Sequence, residues 1–167
     1  MPDGTAEARP RWAQVAMSEK AVVALGPLEC IGRGDLVSLF YFEAHHDEIR
    51  PEEWEFNVWP NSVACEEALL LGSTMESFYL HLVPFGDGLL RVQMINDNNQ
   101  PWAIAKGIGP ALLVKARTVT GRRIVSSVSF DPTANERREN DATKMWEGMV
   151  FRGQAIRLEV DRFEVLA

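Results

Sequence analysis

Apolar and polar residues follow two rhythms along this chain, a two-residue alternation and a helical recurrence, and glycine and proline mark the changes between them. Residues 21–25, Ala-Val-Val-Ala-Leu, are a continuous apolar run closed by Gly26-Pro27, which predicts a short buried strand. Asp35 stands where a helix cap belongs, ahead of Leu36, Leu39 and Phe40 at helical spacing, so a helix is expected to run to about His46. Pro51 suits a first helical turn leading through Glu52, Trp54 and Glu55. Ser62 to Leu71 fits either element. Ser62 is a good cap and Gly72 a good stop, but Ala68-Leu69-Leu70-Leu71 also suits a strand.

The middle of the chain reads as antiparallel sheet. Phe78–Val83 and Leu89–Ile95 are strands joined by Gly86-Asp87-Gly88, and Asn96-Asp97-Asn98-Asn99 ends the second. Pro110 to Thr120 is a helix stopped by Gly121, and Ile124 to Ser129 alternates as a strand. Residues 131–140 form a polar loop. Ala142, Met145, Trp146, Met149 and Val150 then recur at i, i+3, i+4, i+7 and i+8, capped by Asn140 or Asp141 and ended by Gly153. Ile156, Leu158 and Val160 alternate, a turn falls near Asp161-Arg162, and Phe163 to Leu166 completes a terminal pair of strands.

The 167 residues suit one domain, with 1–16 read as a polar, proline-containing leader and 17–167 as the domain, Met17–Lys20 serving as its start. No apolar run reaches the ~18–20 residues needed to span a bilayer, and the first 20 residues hold no apolar signal stretch. Cys30 and Cys65 cannot form a disulfide scaffold and read as reduced thiols, which points to the cytoplasm. The net charge of −7 is unevenly spread. Residues 1–100 carry 6 Lys/Arg against 16 Asp/Glu, whereas no carboxylate lies between Asp97 and Asp131. Lys106, Lys115, Arg117, Arg122 and Arg123 fall in that gap, so a small anion could be held there, or the stretch is a solvated helix surface. Nucleic-acid binding would need a broader basic surface.

Chemistry is most concentrated where Pro101-Trp-Ala-Ile-Ala-Lys-Gly107-Ile-Gly109-Pro110 follows a strand and opens a helix. Main-chain N–H groups of Lys106, Gly107, Ile108 and Gly109 at a helix start would suit a pyrophosphate, although Gly-x-Gly taken alone is better explained by a structural turn. The run is neither a Walker loop nor a dinucleotide fingerprint. Among candidate bases, His81 on its strand and Asp97 after the next are best placed, with a structural hydrogen bond the alternative for His81. Glu43-Ala-His45-His46-Asp47-Glu48 is rich in ligand types, but adjacent helical residues point about 100° apart, so a solvated helix end is expected and no metal site. Ser126 and Ser127 lack a nucleophile elbow and are expected to satisfy strand hydrogen bonds or to line a cleft. Trp54, Trp59, Trp102 and Trp146 serve either a pocket or the core.

The order of elements, with these residues, resembles the GNAT N-acetyltransferase superfamily, of which this chain would be a divergent member. Family members commonly show Pro-x-x-Arg/Gln-x-x-Gly-x-Gly/Ala at the acetyl-CoA pyrophosphate loop, and Pro101, Gly107 and Gly109 hold those spacings. They often show Ala-x-x-x-Tyr-Glu-x-x-x-Phe on a later helix, matched by Ala142, Glu147 and Phe151 with Trp146 at the tyrosine. The resemblance covers 78–167 well, and 20–77 only by element order. Ile104 stands at the Arg/Gln position and cannot donate to phosphate.

The resemblance implies an α/β fold, a single GNAT-like domain whose mixed, mostly antiparallel sheet is flanked by helices. It implies acetyl transfer from acetyl-CoA to an amine. The cofactor would be held by backbone along the second strand, including Met94 and Ile95, and by Lys106, Gly107, Ile108 and Gly109. Trp146 would occupy the place of the general acid, where an indole is no practical acid. The acidic first half suits a cationic acceptor, either a small molecule or a lysine-bearing protein. The rival reading is a non-catalytic interaction protein on the same fold. A homodimer suits both.

Overall fold

The computed structural model describes residues 22–72 and 76–167; the leader over 1–16 and the domain start at Met17–Lys20 lie outside the described residues. Strand β1, Val22–Ile31, runs straight through Gly26-Pro27 and pairs antiparallel with β2, Val37–His46. The helix expected after Asp35 is therefore a strand, and Asp35 itself lies in the connecting turn with φ 59°. The misreading has a physical cause. Phe40, Phe42 and Ala44 are buried on one face of the sheet while Glu43 and His45 are buried on the other, so no apolar alternation shows. The solvated helix end expected at 43–48 is corrected with it.

A second correction follows at Pro51, which lies in a turn rather than opening a helix. The Asp47 carboxylate accepts the N–H groups of Ile49 and Arg50 at 2.9 Å there, and β3, Trp54–Trp59, starts two residues after Glu52. Helix α1, Ser62–Leu71, resolves the ambiguous segment, with Asn61 as the cap that accepts from Ala64 and Gly72 in the left-handed conformation at its end. Strands β4, Phe78–Phe85, and β5, Leu89–Asn96, form the expected hairpin. Helix α2, Ile108–Thr120, leads to β6, Arg123–Val125.

The strand expected to reach Ser129 stops at Val125: the Ser126 N–H turns to Phe163 C=O, and side chains take the N–H groups of Val128 and Ser129. The Glu136 carboxylate accepts from Val128 at 3.1 Å and the Asp161 carboxylate from Ser129 at 2.8 Å. The loop at 131–140 contains a small separate hairpin of β7, Phe130–Asp131, and β8, Glu136–Arg137. Helix α3, Asn140–Phe151, precedes β9, Ala155–Arg157, and β10, Phe163–Val165. Leu158 and Val160 belong to the intervening turn, where Leu158 N–H donates to Arg162 C=O at 2.9 Å.

The main sheet is open, with strand order β1-β2-β3-β4-β5-β6-β10-β9, and every neighbouring pair is antiparallel except β5 and β6. The fold is thus α/β with a mostly antiparallel sheet. Helices α2 and α3 cover one face, burying Leu112, Leu113, Trp146 and Met149 against Phe42, Phe56, Leu80 and Leu90. Each such side chain contributes about 1.5–3 kcal/mol by leaving water. Helix α1 lies on the opposite face, with Cys65 and Leu69 against Trp59. Among the described residues no helix is long and apolar enough to cross a membrane.

Candidate functional site: a cavity where the parallel strands part

Strands β5 and β6 are paired only over Leu89↔Arg123, Leu90↔Ile124 and Arg91↔Val125. Beyond that point they separate. Ser126 N–H turns to Phe163 C=O at 2.9 Å, on the β10 side. Ser127 bridges the start of the gap, its hydroxyl donating to Val92 C=O at 2.7 Å and accepting from Arg91 Nη1 at 3.0 Å. From Gln93 to Asn96, β5 has no strand partner on its β6 side. Its pairing with β4 jumps from Leu82↔Val92 to His81↔Met94, so Gln93 is the extra residue of a bulge.

A cavity of about 560 Å³ occupies the gap, with β5 from Val92 to Asp97 on one side and Asp141, Ala142, Met145 and Trp146 of α3 on the other. Arg138 fixes the wall beyond β6. Its guanidinium donates to Ser127 C=O at 2.7 Å, to Asp161 Oδ1 at 2.6 Å and to Thr143 Oγ1 at 2.8 Å, tying three segments together. The Ser129 hydroxyl and this arginine hold the Asp161 carboxyl well below the usual carboxylate range.

Of the residues that sequence singled out, Met94, Ile95, Asp97 and Trp146 line this cavity, as does Ser127, whereas Lys106, Gly107, Ile108, Gly109 and His81 do not. Trp146 is only 1% exposed and stacks on Phe163 at 5.8 Å between ring centroids, so most of it is core. Trp54 and Trp59 are buried elsewhere, and Trp102 packs on Phe40. The two glycines before α2 each meet a neighbour. Gly107 has φ 75°, and a Cβ there would run into the carbonyl of Ile31 at the end of β1. A Cβ on Gly109 would reach 2.5 Å from Met145 Sδ, 3.6 Å from Ile95 and 3.7 Å from Phe78. All three of those neighbours line the cavity, so the start of α2 sits directly behind its wall.

The basic stretch is largely engaged within the chain. Lys115 lies over the Phe42 ring at 5.8 Å, Arg122 donates to Gly88 C=O at 2.7 Å, and Arg123 pairs twice with Glu164 at 2.8 Å. Lys106 is exposed in the loop before α2.

Sequence reading missed a polar network on the opposite face of the sheet. His45 Nδ1 lies 2.9 Å from Glu43 and Nε2 lies 3.1 Å from Glu55. Tyr79 OH donates to Glu55 at 2.6 Å, Asn57 to Glu43 at 2.6 Å, and Ser77 to Asn57 at 2.9 Å. The His45 ring and Tyr79 hold Glu55 down at about 2 against the opposing effect of burial, while burial and Glu55 push Tyr79 up. Beside this network His81 Nε2 lies 2.7 Å from Glu53 Oε1. The available signal was polar residues at alternate positions, 43 and 45, 55 and 57, 79 and 81, once those segments are read as strands. Burial pushes the Cys30 thiol up to about 12, which makes it inert. Among the described residues no group of His, Cys, Asp and Glu is placed to hold a metal ion. No protein-family profile matches the chain, and neither a curated protein nor a solved structure is detectably similar to it.

Proposed function

We propose that this protein is an acyltransferase that moves an acetyl group from acetyl-CoA to an amine, with the pantetheine arm of the cofactor in the cavity between β5 and β6. The observation that carries the proposal is the parting of the one parallel strand pair. It leaves the β5 backbone from Gln93 to Asn96 without a strand partner on its β6 side, along a cavity of about 560 Å³. Pantetheine is a narrow chain with two amide groups, and an unpaired strand edge offers alternating N–H and C=O groups to such a chain.

Support for a GNAT-like arrangement comes from the connections in the second half. Helix α2 links β5 to its parallel neighbour β6, α3 follows, and the terminal pair joins the sheet beyond β6 with β10 innermost. The first half departs from the expected element order, since β1 and β2 form a direct hairpin.

In this reading the acceptor nitrogen attacks the thioester carbonyl, and coenzyme A leaves as a thiolate that water protonates. Trp146 supplies no acid, so turnover is slow rather than absent, general acid–base help being typically worth ~10²–10⁴-fold. Asp97 at the cavity wall is one proton acceptor within the chain. The second reading, a non-catalytic interaction protein on the same fold, is favoured by two observations. Ile104, at the expected phosphate donor's place, is 60% exposed and apolar, and Gly107 is committed to packing on Ile31. Calorimetry with acetyl-CoA, alongside a thiol-release assay over a panel of amines, separates the two. Heat with thiol release supports the enzyme. Heat without it supports a fold that keeps the cofactor site and has lost the chemistry. Neither signal removes the enzyme and leaves the interaction protein.

A further inference from the structure

We propose that Glu53 positions His81 as the base that receives the proton of the acceptor amine; this rests on the acyltransferase reading above. The chain has three histidines, and their surroundings separate them. His45 is buried with a carboxylate on each ring nitrogen, Glu43 at 2.9 Å and Glu55 at 3.1 Å. His46 points into the helix-covered face, its ring 4.0 Å from that of Trp54 and its Nδ1 buried without a hydrogen-bond partner among the described residues. His81 alone combines one engaged nitrogen with access to water. Nε2 lies 2.7 Å from Glu53 Oε1, the side chain is 20% exposed, and Nδ1 makes no hydrogen bond to the described residues.

A carboxylate on Nε2 selects the tautomer with its proton there, which leaves the lone pair on Nδ1. The same contact fixes the orientation of the ring. Glu53 is itself held. Its N–H donates to Arg50 C=O at 2.9 Å, its C=O accepts from Asp47 N–H at 3.0 Å, and Arg50 Nε stands 4.0 Å from its second carboxylate oxygen.

The position fits the cavity. His81 is paired with Met94 across the β4–β5 ladder, and Met94 lines the cavity beside the Gln93 bulge. Directly opposed residues have Cβ atoms about 4.5–5.5 Å apart on the same face, so His81 stands one side chain from the gap. On the other face α3 forms the far wall of the cavity. Met94 is half exposed on the His81 face, which leaves that side open to an acceptor. Asp47 and Arg50 of the β2–β3 turn, Glu55 of β3 and Tyr79 of β4 also face this region.

The step balances within the chain and its two substrates. The amine nitrogen forms a bond to the acetyl carbon, the C–S bond breaks, and the electron pair leaves on the thiolate, which water protonates. The proton displaced from nitrogen goes to His81 Nδ1 and is then returned to water.

The test uses the full chain, with spermidine and a lysine-rich peptide as acceptors, and compares wild type, His81→Ala and Glu53→Gln. Acetyl-CoA affinity is read by calorimetry and thiol release across pH 5–9. The proposal expects unchanged acetyl-CoA affinity in all three and a kcat/KM lower by ~10²–10⁴-fold in His81→Ala, partly restored by added imidazole. Glu53→Gln is expected to lose about 10–100-fold. The loss is expected in kcat, with the KM for either acceptor unchanged, as removal of a positioning contact felt only in the transition state requires. Wild-type kcat/KM in Glu53→Gln, or a loss confined to KM, overturns the positioning role and leaves the acyltransferase reading intact. Acetyl-CoA bound by wild type without thiol release to either acceptor overturns the base assignment. No acetyl-CoA binding by any of the three overturns the reading beneath it.

Discussion

Replacing Trp146 by alanine tests how the wall of the cavity is built. The side chain is 1% exposed and stacks on Phe163 with 12° between ring planes. A buried tryptophan removes roughly 150–250 Å² from water, worth about 4–6 kcal/mol at 25 cal/mol per Å², an upper figure because the unfolded chain is itself partly collapsed. A sealed void would add a further cost, but this one opens into the existing cavity, where neighbours and water can move in. The expected loss is therefore about 3–5 kcal/mol, a fall in Tm of roughly 6–20 °C for a chain of this length. Urea unfolding followed by circular dichroism gives the value directly. A loss below about 1 kcal/mol with an unchanged m-value would refute the placement of Trp146 in the core and the wall derived from it.

Two further outcomes follow from the same geometry. Gly107→Ala should cost roughly 2–4 kcal/mol, from its positive φ and the contact with the Ile31 carbonyl, whereas Gly121→Ala, with positive φ and open space, should cost only about 1 kcal/mol; equal losses in chemical denaturation would remove the close approach. Glu55 is held at about 2 against an ordinary 4.5, so its stabilising contribution is complete above 4.5 and is lost as the pH falls toward 2. Stability of Glu55→Gln should be lower than wild type at neutral pH and flatter across that window, and parallel curves for the two proteins would contradict the assignment.

Much of the second half was legible because its elements carry local signals. Gly121 stops α2, Gly86 and Gly88 close the β4–β5 hairpin, and Trp146 and Met149 mark the buried face of α3. The first half was not, because β2 and β3 are covered on both sides. Phe40, Phe42, Trp54 and Phe56 face one layer, while Glu43, His45 and Asn57 are buried on the other with polar partners. Burial of charged residues depends on strands far apart in sequence, and no local period announces it. The same holds for the gap itself. Met94, Ile95 and Asp97 stood out as candidates, but the end of pairing at Arg91↔Val125 depends on the Ser126 N–H turning to Phe163 C=O and on Glu136 and Asp161 capturing the N–H groups of Val128 and Ser129. The glycines before α2 were visible as a motif. Their neighbours, Ile31 and Met145, lie on other elements.

Hydrogen exchange of the full chain with and without acetyl-CoA tests the central claim most directly. Amides on the β6 side of β5, between Gln93 and Asp97, have no strand partner there and line the cavity, so they are expected to exchange readily in the free protein. The account predicts that acetyl-CoA slows exchange there and in the first turns of α3 from Asp141 to Met145, leaving β1 and β2 unchanged. Binding detected by calorimetry with no protection on β5, or protection confined to another surface, would contradict it.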